Sequence, residues 1–174
     1  MKRHVILVGL PGSGKTAVGR LFLKLATTDF PDFTDIDEKV EQDAGCSIGE
    51  IFAQSGEAEF RRLERAAMDR ALGRPPHLIA AGAGWIAQPG NLAAARDGNA
   101  FVVYLRVTPE MASARLSHDA SRPLLAGDRL ARLEAMLSER ESWYAQANAK
   151  IDASGTPEEV AAAVLATARR EEAS

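Results

Sequence analysis

The feature that most limits the fold is a short apolar run followed at once by a glycine-rich turn, near the start of the chain. The run VILV leads directly into GLPGSGKT (residues 9–16), which fits the pattern G-x-x-x-x-G-K-[ST] and opens a predicted helix. Glycines let the backbone curl so that successive N–H groups converge on phosphate oxygens, and the helix N-terminus adds a positive dipole end. The pattern therefore predicts nucleotide binding, and it leaves open what the γ-phosphate is used for.

The rest of the chain alternates apolar runs with helical patterns. VILV and FVVYLRV are almost continuously apolar, as strands covered on both faces are. This alternation predicts an α/β fold with a mainly parallel sheet. The predicted strands are His4–Val8, Asp32–Ile36, His77–Ala81, Ala100–Val107 and Lys150–Asp152.

Several predicted helices carry start signals. Thr108-Pro109 and Thr156-Pro157 each place a capping hydroxyl before a proline, and Glu159 completes a capping box with Thr156. Residues 56–72 and 130–147 are long, charged and rich in alanine or leucine, which is typical of amphipathic helices.

Composition narrows the class of protein. The chain has 174 residues, which suits one domain spanning residues 1–174, and a net charge of −3. That charge provides no basic field for nucleic acid, and no apolar run is long enough to span a membrane. The single cysteine, Cys46, excludes an internal disulfide and fits a cytoplasmic protein.

Two aspartates, Asp35 and Asp37, stand at the end of the second predicted strand. In an open parallel sheet this point lies beside the loop after the first strand, where ligands bind. If the strand stays extended, both carboxylates lie on one side, where one could hold Mg²⁺ and the other a substrate hydroxyl. The alternative is an Asx turn that caps a helix.

Three arginines are candidates to bind anions. Arg61 lies in GEAEFRRLE, Arg122 in the polar loop SRPLLAGD, and Arg140 in SERESWY. Taken alone, each is more typical of a solvated surface arginine, and sequence spacing does not bring the three together.

Over almost its whole length the chain resembles the shikimate kinases. The matching segments are GLPGSGKTAVGR, FTDID, GCSIGEIFAQSGEAEFRRLE, GAG, SRPLLAG, ERESWY and IDASGTPEEV. The family transfers the γ-phosphoryl group of ATP to the 3-hydroxyl of shikimate, on the path to the aromatic amino acids. The resemblance implies that reaction, a monomer, and a three-layer α/β/α P-loop kinase fold with five parallel strands in the order 2-3-1-4-5. It also implies substrate-binding helices at about residues 37–72 and a mobile lid at about residues 115–127.

The resemblance also implies a role for each matching residue. On the nucleotide side, Arg115 and Pro157 would hold adenine, Thr16 and Asp35 would hold Mg²⁺, and the ATP phosphates would contact Gly12, Ser13, Gly14, Lys15, Thr16 and Ala17. Lys15, Asp37 and Arg122 would be catalytic. The acceptor would contact Asp37, Arg61, Gly82, Ala83, Gly84 and Arg140, and Phe52 and Phe60 would either wall its pocket or belong to the core.

The sequence departs from the family pattern at the turn GAG, where three consecutive glycines are usual. If Ala83 has a positive φ, its backbone is strained; if not, its methyl group stands in the pocket wall. Trp85 is bulky and either covers the pocket or, as we favour, packs beneath it. Two alternatives to shikimate phosphorylation follow: phosphorylation of another small hydroxylated acid, and a nucleotide-binding regulatory module without turnover. Because a mere binder needs neither Asp37 nor Arg122, their presence argues against the second.

Overall fold

The computed structural model describes residues 3–26, 32–116 and 128–173. Its sheet has five parallel strands in the order β2-β3-β1-β4-β5, which confirms the predicted topology. Each strand lies within a residue or two of its predicted bounds: β1 Val5–Val8, β2 Phe33–Asp35, β3 Leu78–Ala80, β4 Phe101–Arg106 and β5 Ala149–Asp152.

Helices cover both faces of the sheet. Alternate residues of β1 point to opposite sides, with Val5 and Leu7 in a cluster with α1 and α7, and Ile6 and Val8 in a cluster with α2, α3 and α4. The three-layer α/β/α arrangement is therefore present. The helices are α1 Lys15–Ala26, α2 Ile36–Ala44, α3 Ile48–Leu72, α4 Asn91–Asp97, α5 Pro109–Leu116, α6 Arg129–Tyr144 and α7 Pro157–Ala173, and Trp85–Ala87 forms a short 3₁₀ helix.

The predicted helix starts rest on the expected caps. The Thr108 hydroxyl accepts a hydrogen bond from Met111 N at 3.3 Å, and Thr156 and Glu159 exchange the two bonds of a capping box. Helix α6 ends at Tyr144, three residues before its predicted end.

Helix α3 begins earlier than predicted, because Ser47 and Glu50 form a second capping box in front of Ile48. The predicted start, Gly56, is instead a break inside this helix, with φ 78° and ψ 178°. The helix therefore has a kink at Gly56.

Parallel pairing aligns the strand ends that matter. Asp35 of β2 is in register with Ala80 of β3, and Leu7 of β1 is in register with the same residue. The loop after β1, the start of α2 and the turn after β3 consequently meet at one edge of the sheet. Within the ranges that the structure describes, no helix is long and apolar enough to cross a membrane.

Candidate active site

The loop after β1 has the curled backbone that its sequence predicts. Gly9, Gly12 and Gly14 all have positive φ, between 79° and 154°, and α1 begins at Lys15. Lys15 Nζ donates to the carbonyls of Gly9 and Leu10 at 3.0 and 3.1 Å. The loop is thus folded as an anion cradle at a helix N-terminus, and it carries its own cation.

Thr16, which follows this loop, and Asp35, at the end of β2, are in contact beside the cavity described below. Thr16 Oγ1 donates to Asp35 Oδ2 at 2.5 Å, although 19 positions separate the two residues. Oxygen donors from two elements fit Mg²⁺, which usually takes one or two protein ligands and keeps waters and substrate phosphates. No cluster of three or more His, Cys, Asp or Glu residues able to form an all-protein metal cage occurs among the described residues.

Asp35 and Asp37 are not placed as an extended strand would place them. Strand β2 ends at Asp35, whose Oδ1 accepts from Asp37 N at 3.0 Å and from Glu38 N at 3.3 Å. The helix-capping alternative is therefore the geometry adopted, because α2 starts at Ile36 and needs an acceptor for its first amides. The cap still leaves Asp35 Oδ2 facing Thr16, and it turns Asp37 into the adjoining cavity.

That cavity has a volume of about 220 Å³ and opens beside the phosphate loop. Helices α2, α3 and α6 and the turn after β3 contribute its walls. Most of the residues predicted for the acceptor line it together with Asp35, which was predicted for Mg²⁺. They are Asp37, Phe52, Phe60, Arg61, Ala83, Gly84 and Arg140.

Two aromatic rings form one wall of the cavity. The ring centroids of Phe52 and Phe60 are 4.9 Å apart, and the Arg61 guanidinium lies 5.1 Å from the Phe60 centroid. Both phenylalanines also pack against the large hydrophobic cluster on this face of the sheet. The two alternatives for this pair, pocket wall and core, therefore hold together.

Arg61 is held in place by two carboxylates on its own helix. Its Nη1 lies 2.8 Å from Glu64 Oε2, and its Nη2 lies 3.2 Å from Glu57 Oε1. Burial disfavours the charge on Arg61, but the attraction of Glu64 and Glu57 outweighs it and raises the pKa of the guanidinium. Arg61 is thus a fixed, permanently charged group in the cavity wall rather than a solvated surface arginine.

Glu64 is a site residue that the sequence reasoning missed. Only 2% exposed, it lines the cavity, and within the described part of the chain its Oε1 has no hydrogen-bond partner. Burial raises the pKa of this carboxyl, Asp37 adds to the shift, and Arg61 and Arg140 oppose it. The available signal was its spacing three positions after Arg61, which puts both on one helix face.

The backbone conformation of the turn after β3, residues 82–85, shows whether Ala83 is strained. Trp85 N donates to Gly82 O at 3.0 Å, and Gly84 has φ −95° and ψ −6°, as in a type I turn. Both central positions of such a turn have negative φ, and Ala83 is not among the positive-φ residues. The possibility of backbone strain at Ala83 is therefore wrong, and its effect is a methyl group at the cavity wall.

The glycines at 82 and 84 are required by close approach instead. A Cβ on Gly82 would lie 2.1 Å from Glu64 Oε1 and 2.9 Å from Asp37 Oδ1, and one on Gly84 would lie 2.6 Å from Arg61 Nη2. Because these two glycines have no side chain, the charged groups can approach the backbone of the turn. Trp85, at 2% exposed, packs into the core behind the turn, as favoured.

Helix α6 contacts the same turn from the other side. Arg140 Nη1 donates to Ala83 O at 3.1 Å, and Tyr144, one helical turn later, donates its hydroxyl to the same oxygen at 3.3 Å. Tyr144 was also missed from the sequence, where only its place four residues after Arg140 hinted at a shared face.

The other residues predicted for the nucleotide include Arg115, Pro157 and Ala17. Arg115 Nη2 donates to the carbonyls of Ala153 and Gly155 at 2.8 and 3.3 Å, next to the segment that leads into Pro157. Ala17 is exposed in the first turn of α1. Arg122, together with most of the predicted lid, lies outside the described residues.

A phosphate loop after the first strand of a parallel sheet, beside a separate cavity with paired carboxylates and guanidiniums, defines a P-loop kinase for a small acceptor. Residues 11–169 match the family model for shikimate kinase. The chain belongs to the shikimate kinase family and is an ATP-dependent kinase.

Individual relatives agree with this assignment. The shikimate kinase of Caldanaerobacter subterraneus is 41% identical over 165 residues, covering 94% of each chain, and that of Caulobacter vibrioides is 38% identical over 97% of this chain and 83% of its own. The solved structure of shikimate kinase from Acinetobacter baumannii in complex with shikimate superposes with a TM-score of 0.86 at 30% identity, over 97% of this chain and 94% of that one. A gluconokinase from Sinorhizobium meliloti, at 16% identity and a TM-score of 0.65, shares the fold alone.

Proposed function

We propose that this protein transfers the γ-phosphoryl group of ATP to the 3-hydroxyl of shikimate. The observation that carries the proposal is one cavity, next to the phosphate loop, that is lined by two guanidiniums, Arg61 and Arg140, and by the carboxylates of Asp37 and Glu64. Shikimate has one carboxylate and three hydroxyls. Guanidinium forks suit the carboxylate, and the carboxylates of the cavity suit the hydroxyls as hydrogen-bond acceptors.

The chain's own residues would carry the transfer as follows. Asp37 accepts the hydrogen bond of the 3-hydroxyl and takes its proton as the oxygen–phosphorus bond forms and ADP leaves. Lys15 moves from the loop carbonyls to the transferring phosphate and neutralises its charge. Thr16 and Asp35 would hold Mg²⁺, which supplies further neutralisation at the phosphates when bound.

Other parts of the proposal rest on the family resemblance. Residues 1–174 form one domain, in which residues 37–72 bind the acceptor and a lid at about 115–127 brings Arg122 onto the transferring phosphate. Arg115 and Pro157 hold adenine, and the Arg115 bonds beside that segment support this placement. The enzyme acts as a cytoplasmic monomer on a small molecule, away from nucleic acids and membranes.

An ADP-release assay with purified protein tests the acceptor. Shikimate should support turnover, whereas gluconate and other polyol acids of similar charge should support little. Turnover with another acid and none with shikimate would assign the enzyme to that acceptor, and ATP binding without any phosphorylated product would indicate a regulatory module.

The variant Asp37→Asn tests the proposed chemistry in the same assay. It should lower kcat by about 10²–10⁴-fold, because it removes the proton acceptor, while nucleotide still binds. Near-normal turnover would remove Asp37 from the reacting centre.

A further inference from the structure

The carbonyl oxygen of Ala83 is held by two donors from one helix. Arg140 and Tyr144 lie one turn apart on α6, and both donate to this oxygen, at 3.1 and 3.3 Å. Arg140 also acts on the Tyr144 hydroxyl, because its charge opposes the rise in the pKa of that group. A phenol has a single hydrogen, and Tyr144 donates it to Ala83 O.

Burial and ring stacking fix the position of the Tyr144 side chain. It is 2% exposed, and its ring stacks on Tyr104 of β4 with centroids 4.5 Å apart and planes 1° apart. Burial raises the pKa of Tyr144 to about 12, so the hydroxyl stays a neutral donor near pH 7. The phenol therefore reaches the turn from a support fixed to the central sheet.

Fixing this carbonyl also fixes the amide on its other side. The described residues contain no cis peptide bond, so the N–H of Gly84 points opposite to the C=O of Ala83. With the oxygen drawn to α6, the Gly84 N–H points away from α6, and Gly84 lines the acceptor cavity. The turn's own hydrogen bond uses only Gly82 O and Trp85 N, which leaves the orientation of this peptide to its contacts.

We propose that Tyr144 is a positioning residue for the acceptor: through its bond to Ala83 O it orients the Ala83–Gly84 peptide that faces the cavity. This inference rests on the proposed function, in which Arg140 binds the substrate carboxylate. When Arg140 turns toward that carboxylate, its hydrogen bond to Ala83 O is lost. The Tyr144 hydroxyl is the donor that remains, and the turn keeps its orientation as the substrate binds.

The variant Tyr144→Phe tests the proposal because it keeps the stacked ring and removes only the hydroxyl. We expect the KM for shikimate to rise about 3- to 10-fold, the worth of one net hydrogen bond, with the KM for ATP unchanged. The matched control is Tyr104→Phe, which removes a hydroxyl from the same stack but none that bonds to the turn. That control should keep both KM values at the wild-type level.

Amide NMR spectra of the ligand-free protein give a readout that needs no acceptor. The Ala83 and Gly84 cross-peaks should shift in Tyr144→Phe and stay in place in Tyr104→Phe. Unmoved cross-peaks in Tyr144→Phe would overturn the proposal. So would an unchanged KM for shikimate beside a lower melting temperature, or a parallel rise of both KM values. If wild type fails to phosphorylate shikimate, the proposed function fails by itself, and these spectra still decide the role of Tyr144.

Discussion

At the scale of single residues, the acceptor site depends on the absence of a side chain at Gly82. Glu64 Oε1 and Asp37 Oδ1 both occupy the space that a Cβ on Gly82 would need, at 2.1 and 2.9 Å from its position. Glu64 is buried, so it has little room to withdraw. A hydrogen atom at this position is therefore a condition for having both carboxylates in the cavity.

The variant Gly82→Ala should accordingly damage both stability and acceptor binding. We expect a loss of about 1–3 kcal/mol in the free energy of unfolding, and a higher KM for shikimate as the carboxylates shift. Urea unfolding and steady-state kinetics measure the two effects. Ala83→Gly is the matched control: because Ala83 has negative φ, it should cost only about 0.4–1 kcal/mol, through the unfolded chain. Equal effects of the two variants would contradict the close-approach account.

Residue patterns predicted part of this site. The phosphate loop, Asp35, Asp37, Arg61 and Arg140 came from local motifs and from the resemblance they support. Glu64 and Tyr144 did not, because their roles depend on which helix face meets the 82–85 turn. That contact is set by packing, and neither residue belongs to a motif that marks it.

At the scale of elements, the bend in α3 shapes the acceptor cavity. Gly56 lies between Phe52 and Phe60, whose ring centroids are 4.9 Å apart. It has φ 78°, and a Cβ added at this position would meet no atom within 4 Å. A continuous helix would carry Phe52 along a straight axis away from that contact. The residue pattern predicted a helix start at Gly56, and only the family resemblance implied helices over about residues 37–72; the segment before Gly56 starts at the capping box of Ser47.

The variant Gly56→Ala should straighten or strain this bend. With φ 78° and ψ 178°, Gly56 has a backbone conformation essentially restricted to glycine, so alanine should cost about 1–3 kcal/mol although no atom obstructs the methyl group. A displaced Phe52 should also raise the KM for the acceptor. Gly73→Ala, at the end of the same helix, is the control. Gly73 has φ −75°, and its added Cβ would make ordinary contacts at 3.5 Å or more, so this change should stabilise by about 0.4–1 kcal/mol. Thermal or urea unfolding that gave both variants the same sign would contradict the assigned strain.

At the scale of the whole molecule, two histidines lie under the amino edge of the sheet, away from the active site. His4 precedes β1 and His77 precedes β3; their rings meet edge to face at 5.0 Å. His77 N donates to His4 Nδ1 at 3.3 Å, and His77 Nε2 lies 3.0 Å from Thr34 Oγ1. Burial lowers the pKa of both imidazoles from 6.5, and the charge of His77 lowers that of His4 further.

These two shifts predict a loss of stability in weak acid. The folded protein resists protonation that the unfolded chain accepts near pH 6.5, so stability is complete above that pH and falls as the pH drops. The loss should reach at most about 1.4 kcal/mol per histidine for each pH unit, seen by urea unfolding between about pH 7.5 and 5.5. The raised pKa of Glu64 acts in the opposite direction, so the measurement is repeated in Glu64→Gln. A flat profile in that variant would contradict the buried neutral pair.

The alternation of apolar runs and helical patterns predicted a mainly parallel sheet, whereas the order of its strands was implied only by the resemblance to the shikimate kinases. The sequence left open whether Asp35 continues β2 or caps α2, because its side chain can satisfy the first amides of a helix as readily as its backbone can extend a strand.

The central claim is that one cavity beside the phosphate loop orients shikimate for transfer to a single oxygen. The most direct test is to incubate the wild-type enzyme with ATP, Mg²⁺ and shikimate, and to locate the phosphate in the product by proton–phosphorus correlation NMR. The account predicts one ADP for each phosphorylated shikimate, with the phosphate on the 3-oxygen only. Phosphate on another oxygen, or ADP formed without a phosphorylated shikimate, would contradict it.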